Sequence, residues 1–220
     1  MPDISLTQTR LPVFGSMAQI PASSPPGVSV VVCCHNSKGR LGPTLKYLAC
    51  QTVGAAIPWE VIIIDNASTD DSGAFAQESW PKNAPAPLRV VSEPNPGLAH
   101  ARLRGLNEAA YPIVSLVDDD NWVCPEWISL VSDIMSTRPA VGAVGCLCEG
   151  AYEQSPPAWF LEFSRSYAIG EMAFEAANVT WTRGYLFGAG LSIRKCAWQS
   201  LREHGFTPLL TDRAGASLTS

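Results

Sequence analysis

The sequence predicts an α/β fold of the Rossmann type: a mostly parallel sheet with helices on both faces. Three observations predict it. Short, largely apolar runs rich in β-branched residues stand at 28–34, 59–65, 88–93 and 113–117, too short for typical helices. Segments with apolar residues at helical spacing alternate with these runs. The strand runs do not alternate apolar with polar residues, which marks strands buried on both faces.

The first strand is VSVVVCC (28–34), ending at His35-Asn36-Ser37, and Leu41, Leu45 and Leu48 then mark one face of a helix. The second strand, WEVIIID (59–65), ends at Asp65, and Asn66 to Asp71 supply turn and cap residues before the next helix. LRVVSE (88–93) is the third strand. The turn Pro94-Asn95-Pro96-Gly97 separates it from a helix whose apolar face is read as Ala99, Leu103, Leu106 and Ala110. IVSLV (113–117) is the fourth strand, ending in Asp118-Asp119-Asp120. Pro125 stands at an expected first helical position, followed by Trp127, Val131, Ile134 and Met135 on an apolar face. Beyond residue 140, VGAVGCLC (141–148) and YLFGAGLSI (185–193) are expected strands, and a short helix over 195–204 closes at Gly205. Residues 150–182 carry no clear period.

The 220 residues are 46% hydrophobic and 16% charged, enough for one domain with a real core. The net charge of −5 gives no electrostatic reason to bind nucleic acid. Seven cysteines, an odd number, and no secretory leader predict free thiols in a reducing compartment. Cys146 and Cys148 form C-x-C without a matching pair, a poor pattern for structural zinc. No segment has the roughly 20 apolar residues that span a bilayer, so the sequon at Asn178–Thr180 is expected to be idle. The expected location is cytoplasmic, with peripheral association at the inner membrane face left open. Residues 1–27, with the Pro- and Ser-rich stretch 21–27, read as a tail and linker.

Ligands of open α/β sheets bind at the carboxyl ends of the strands. Here those ends carry His35-Asn36, Asp65-Asn66 and Asp118-Asp119-Asp120. Asp118 and Asp120, two apart, point to one side of an extended chain, where a hard divalent cation would reconcile their charges. The alternative is a solvated acidic loop. Asp65 either hydrogen-bonds a base or ribose or opens an Asx turn. Asn95-Pro96-Gly97 before a helix, with Arg102 and Arg104 just inside it, is either an anion site or an ordinary turn. The loop CCHNSKGRLG lacks the G-x-G-x-x-G of dinucleotide-binding enzymes, and neither a P-loop nor a G-x-S-x-G is present.

In order and spacing, VSVVVCCHN, VIIIDNASTDDS, NPGLAHARLRG, LVDDDNWVCPEW and FGAGLSIRK resemble the family 2 glycosyltransferases of the GT-A fold, over roughly residues 28–195. The resemblance implies a nucleoside diphosphate sugar donor, most commonly a uridine diphosphate sugar, a carbohydrate or lipid-linked acceptor, and a Mg²⁺ or Mn²⁺ cofactor. It implies that Asp65 contacts the nucleobase and that His35 and Asn36 line the base pocket. Asp118 and Asp120 would form the D-x-D pair, Asp120 as metal ligand and Asp118 as ribose, phosphate or metal contact. Arg102 would be a donor-site residue, and Gly188, Ala189 and Gly190 would lie by the sugar and acceptor. Residues 28–125 would be the donor half and 126–220 an incomplete acceptor half.

Chemistry follows from these roles. An acceptor hydroxyl attacks the anomeric carbon opposite the leaving diphosphate, inverting it, while a carboxylate base takes the proton. In the family that base follows the FGAG segment in a Gly-Glu-Asp-like stretch. Only Glu203 and Asp212 follow it here, outside such a motif, so the base is expected beyond Ser220 and this form is expected to transfer sugar poorly. Trp159, Phe160, Phe163, Tyr167, Phe174, Trp181 and Tyr185 are read mostly as packing residues, the alternatives being an interface to a further part of the protein or stacking on acceptor sugars, for which Trp159 and Trp181 are the candidates. Two rival readings remain: a nucleotidyltransferase, hinted at only by Lys38-Gly39-Arg40, and a non-catalytic nucleotide-sugar-binding module.

Overall fold

β1 (Val28–Cys34) runs through the middle of the sheet because its side chains are apolar on both faces. Val28, Val30 and Val32 enter one core and Val31 the other. In this computed structural model, which describes residues 26–173, 177–208, 212–214 and 217–219, β1 pairs in parallel with β2 (Trp59–Asn66) and with β4 (Ile113–Asp118). β3 (Leu88–Glu93) pairs in parallel with β2. β5 (Ala143–Val144) and β6 (Leu191–Arg194) complete the sheet antiparallel, in the order β3-β2-β1-β4-β6-β5. Separately, β7 (Asp212–Ala214) and β8 (Ser217–Thr219) form a two-stranded hairpin. Most of the predicted tail 1–27, and Phe174, lie outside the described residues.

On one face pack α1 (Leu41–Ala49), α2 (Ser72–Ser79) and α4 (Trp127–Thr137), with Leu41, Leu45 and Leu48 buried as their spacing predicts. α3 (Leu98–Glu108) and α6 (Lys195–Glu203) cover the other. The face of α3 differs from expectation. Ala101, Gly105, Leu106 and Ala109 are buried, while Ala99 and Leu103 are only partly so and Ala110 is exposed. Small residues face the sheet because α3 lies so close to β1 that a Cβ on Gly105 would fall inside the Val31 side chain.

Two predicted strands shrink. Of 141–148 only Ala143–Val144 joins the sheet, with Cys148 in an isolated bridge to Gly170, and of 185–193 only 191–193 lie in β6, which runs on to Arg194. Gly190, at φ +67°, turns the chain out of extended geometry just before β6, leaving Gly188–Gly190 as a loop. Pro125 sits in the turn before α4 rather than in its first helical position, since the Trp127 amide already bonds back to the Cys124 carbonyl at 3.1 Å. α6 closes as expected at Gly205, φ +86°, where the Gly205 and Phe206 amides return to Arg202 and Leu201.

Candidate functional site

The chain order reverses beside β1: β2 and β3 lie to one side of it, β4 to the other. A crevice forms at the carboxyl ends of the strands at such a point. Register lines up its walls, with Cys34 opposite Asp65 and Cys33 opposite Asp118. Burial pushes the Cys33 thiol up to about 12, with Arg102 opposing and Asp118 and Asp119 adding to the rise, so it is neutral filler beneath the acids.

On the β2 side, Asp65 stands one residue before the end of its strand, with Oδ1 buried and without a hydrogen-bond partner. Gly73 of α2 makes room for it, since a Cβ there would stand 2.7 Å from Asp65 Oδ2. Asp65 opens no turn; Asp70 does, accepting the Ser72 amide at 3.1 Å. His35 lies alongside. Its Nδ1 donates to the Asn66 carbonyl at 2.7 Å, which leaves Nε2 as acceptor facing the Asn36 amide at 3.4 Å. Asn36 takes the left-handed conformation at φ 52°, and its side-chain oxygen accepts the Thr69 amide at 2.8 Å. The Asn36 carboxamide thus clamps the loop after β1 to the loop after β2.

The acid triplet divides. Asp119, only 8% exposed, turns inward. Arg40 donates to both its oxygens from Nε and Nη2 at 3.0 Å each, and Ser37 Oγ donates to Oδ2. Thr44 Oγ1 holds its carbonyl at 2.9 Å. β4 ends at Asp118 and the chain turns at Asp119-Asp120, with the Asn121 amide returning to the Asp118 carbonyl at 3.1 Å, so the expected extended alternation does not hold there. Burial pushes the Asp118 carboxyl above its ordinary range, Arg102 opposes this, and the charges of Asp120 and Asp119 add to it. Asp120 is exposed, with a long 3.5 Å contact from Asn121 Nδ2.

Arg102 reaches from α3 to Asp118, Nη2 to Oδ1 at 3.5 Å, and lies against Gly188, where a Cβ would stand 3.0 Å from Nη2. One guanidinium therefore joins the acid triplet to the Gly188–Gly190 loop. Arg104 points elsewhere and pairs with Glu108 at 3.1 Å. The Gly97 amide at the start of α3 is not free for an anion, because Asn66 Oδ1 accepts it at 2.8 Å.

The model of the family described as Glycosyl transferase family 2 matches residues 29–189. The chain belongs to the family 2 glycosyltransferases. It is 27% identical over 130 residues to the uncharacterized glycosyltransferase EpsJ of Bacillus subtilis (strain 168), covering 59% of this chain and 35% of that protein. The fold of the S. aureus TarS fragment 1-349, solved in complex with UDP-GlcNAc, superposes with a TM-score of 0.60 at 18% identity, over 86% of this chain and 50% of that one. The mannosyltransferase PcManGT of Pyrobaculum calidifontis, solved with GDP-Man and Mn²⁺, gives 0.60 at 21% identity, over 85% and 49%. The chain thus spans about half or less of these relatives, and it has their GT-A fold.

Within this family 2 glycosyltransferase His35, Asn36, Asp65, Asp118 and Asp120 stand at or just beyond the carboxyl ends of β1, β2 and β4, Arg102 reaches Asp118 from α3, Gly188 lies beside Arg102, and the Ala189 carbonyl is turned to Cys146 and Cys148. It corrects the aromatic reading. Of the seven aromatic residues between 159 and 185, none that is described is buried. Trp159 is 53% and Trp181 83% exposed, and Trp159, Phe160, Phe163 and Tyr167 lean on one another around the short helix Phe160–Phe163 rather than filling a core. Sequence reasoning missed Arg40 as a partner of Asp119 and Asn66 as the clamp of the α3 start. Asn66 Nδ2 donates to the Glu93 and Asn95 carbonyls at 3.1 and 2.6 Å. The strand-end position of Asn66 and the place of Arg40 just before α1 were the signals, but their partners lie far along the chain. Among the described residues no helix is long and apolar enough to cross a membrane.

Proposed function

We propose that this chain binds a nucleoside diphosphate sugar, a uridine diphosphate sugar foremost, across the crevice, and that it serves inverting transfer of the sugar to a carbohydrate or lipid-linked hydroxyl. The buried, unpartnered Oδ1 of Asp65 carries the reading. A buried acceptor left unmatched costs about 1–3 kcal/mol, and the imino N–H of uracil, thymine or guanine would match it. Adenine offers no imino donor. His35 and Asn36 border the same end of the sheet.

Asp118 and Asp120 fit a Mg²⁺ or Mn²⁺ ion by chemistry: two hard oxygen donors, one of them destabilised as an anion by burial. Among the described residues no third His, Cys, Asp or Glu joins them, so substrate phosphates and water would complete the shell. When bound, the ion supplies Lewis acidity to the departing diphosphate. Arg102 orients Asp118 and offers its remaining N–H groups to the donor. Trp159 and Trp181 present open aromatic faces to an acceptor.

Thermal stabilisation by UDP, GDP, TDP and ADP, with and without Mn²⁺, tests this directly. The expected result is a Mn²⁺-dependent shift for UDP that exceeds the ADP shift and disappears in Asp120→Asn. A folded chain that responds to none of the nucleotides overturns the reading.

A further inference from the structure

Donor binding leaves one pair of side chains unexplained. Cys146 and Cys148 follow β5 on chain whose alternation turns both side chains to one side, while Leu147 between them faces out at 57% exposure. Their Sγ atoms stand 3.7 Å apart. Each faces the Ala189 carbonyl, at 3.7 Å from Cys146 and 3.8 Å from Cys148. The fit is close, since a Cβ on Gly190 would come 2.8 Å from Cys146 Sγ. The Cys148 backbone is pinned to Gly170 in both directions, at 2.8 and 3.5 Å, so the pair has little freedom to separate.

The two thiols are unequal. The hydrogen bond from Cys146 lowers the Cys148 thiol to about 7, against burial and the charge of Asp118. That same bond, with burial, raises Cys146. An attacking thiolate beside a neutral second thiol is the arrangement that thiol–disulfide exchange uses.

We propose that Cys146 and Cys148 form a dithiol modification site, oxidised by a small-molecule disulfide such as glutathione disulfide to an intramolecular bridge that resets the Gly188–Gly190 loop. The Cys148 thiolate attacks one sulfur of glutathione disulfide and releases one glutathione thiolate. Cys146 gives up its proton and attacks Cys148 Sγ, releasing the second. Two cysteine thiols are oxidised, one glutathione disulfide is reduced to two glutathiones, and the two cysteine protons end on them. Closing the sulfurs to roughly 2.0 Å leaves no S–H group on either sulfur to meet the Ala189 carbonyl. The effect on transfer rests on the proposed place of this loop beside the sugar and acceptor.

The test treats the full 220-residue chain with glutathione disulfide, alkylates the remaining thiols and maps the peptides by mass spectrometry. The peptide spanning 146–148 should lose two hydrogens and regain them in dithiothreitol, and Cys146→Ser should trap glutathione on Cys148. A 146–148 peptide that stays reduced while exposed Cys50, Cys124 and Cys196 react, or one carrying glutathione on both thiols, overturns the proposal. Amide hydrogen exchange over 187–191 should rise severalfold on oxidation and revert on reduction; unchanged exchange overturns the coupling to the loop. The metal-dependent UDP shift is measured separately on the reduced chain, so loss of the donor-site reading would be seen there and not in the thiol chemistry.

Discussion

Arg40 closes on Asp119 with two guanidinium hydrogen bonds of 3.0 Å, and so the middle acid of the triplet is spent on the fold while Asp118 meets Arg102 and Asp120 is exposed. The planar fork matches both carboxylate oxygens, which a lysine cannot do. Arg40→Met should therefore lower stability by about 1–2 kcal/mol in urea unfolding, limited by the half-exposed position of Arg40. Arg40→Lys should recover only part of the loss. If the methionine variant unfolds at the same urea concentration as the parent, the pair contributes nothing.

Asp118 and Asp120 add to each other's repulsion without a cation, and burial adds to the cost at Asp118. Asp120→Asn should leave the ligand-free melting temperature unchanged or slightly higher, because a like charge is gone. It should abolish the Mn²⁺-dependent part of the UDP shift. A variant that melts earlier and keeps the shift would assign Asp120 to the fold instead.

Gly105 lets α3 approach β1, and its missing Cβ is filled by Val31. Overpacking of this kind costs about 1–3 kcal/mol, and Gly105→Ala should show it in thermal unfolding. Arg102 sits one turn earlier on α3, so the same variant should weaken the UDP shift measured well below its melting point. Val31→Ala in that background should restore much of the stability.

At the opposite end of the sheet Glu60 is buried, which alone would raise its carboxyl. The Ala110 amide at 2.9 Å, Ser29 Oγ at 2.7 Å and Arg89 Nε at 3.1 Å overcome this and hold it below the ordinary glutamate range. A carboxyl lowered by folding stabilises the native state above its unfolded value, and that contribution disappears as pH falls through the folded value. Stability should thus decline on acidification through the normal glutamate range and below. In Glu60→Gln the decline should be shallower, from a starting stability at pH 7 lower by about 1–3 kcal/mol. Parallel pH curves for the two proteins would remove Glu60 as a contributor.

Much of this was legible along the chain. Apolar runs bounded by polar strand ends located β1 to β4, and they put Asp65, Asp118 and Asp120 at the carboxyl edge, because alternation and periodicity are properties of a few covalently linked neighbours. The leucine face of α1 followed for the same reason. What local pattern does not contain is which face a helix turns to its sheet and which distant group meets a given side chain. Hydrophobicity alone chose Ala99 and Leu103 for the buried face of α3, whereas close approach to Val31 selected Ala101, Gly105 and Ala109. Among three adjacent aspartates, the sequence set Asp119 apart only as the middle of a D-x-D. The packing of α1, whose N-cap residue Arg40 comes within 3.0 Å of a residue 79 positions away, decided what Asp119 does. Cys146 and Cys148 were visible as a spacing, but the tertiary structure decided what they touch. It laid the loop before β6 across them, since antiparallel pairing of β5 with β6 puts Ala143 opposite Ile193 and Val144 opposite Ser192 and so brings Ala189 back to Cys146 and Cys148.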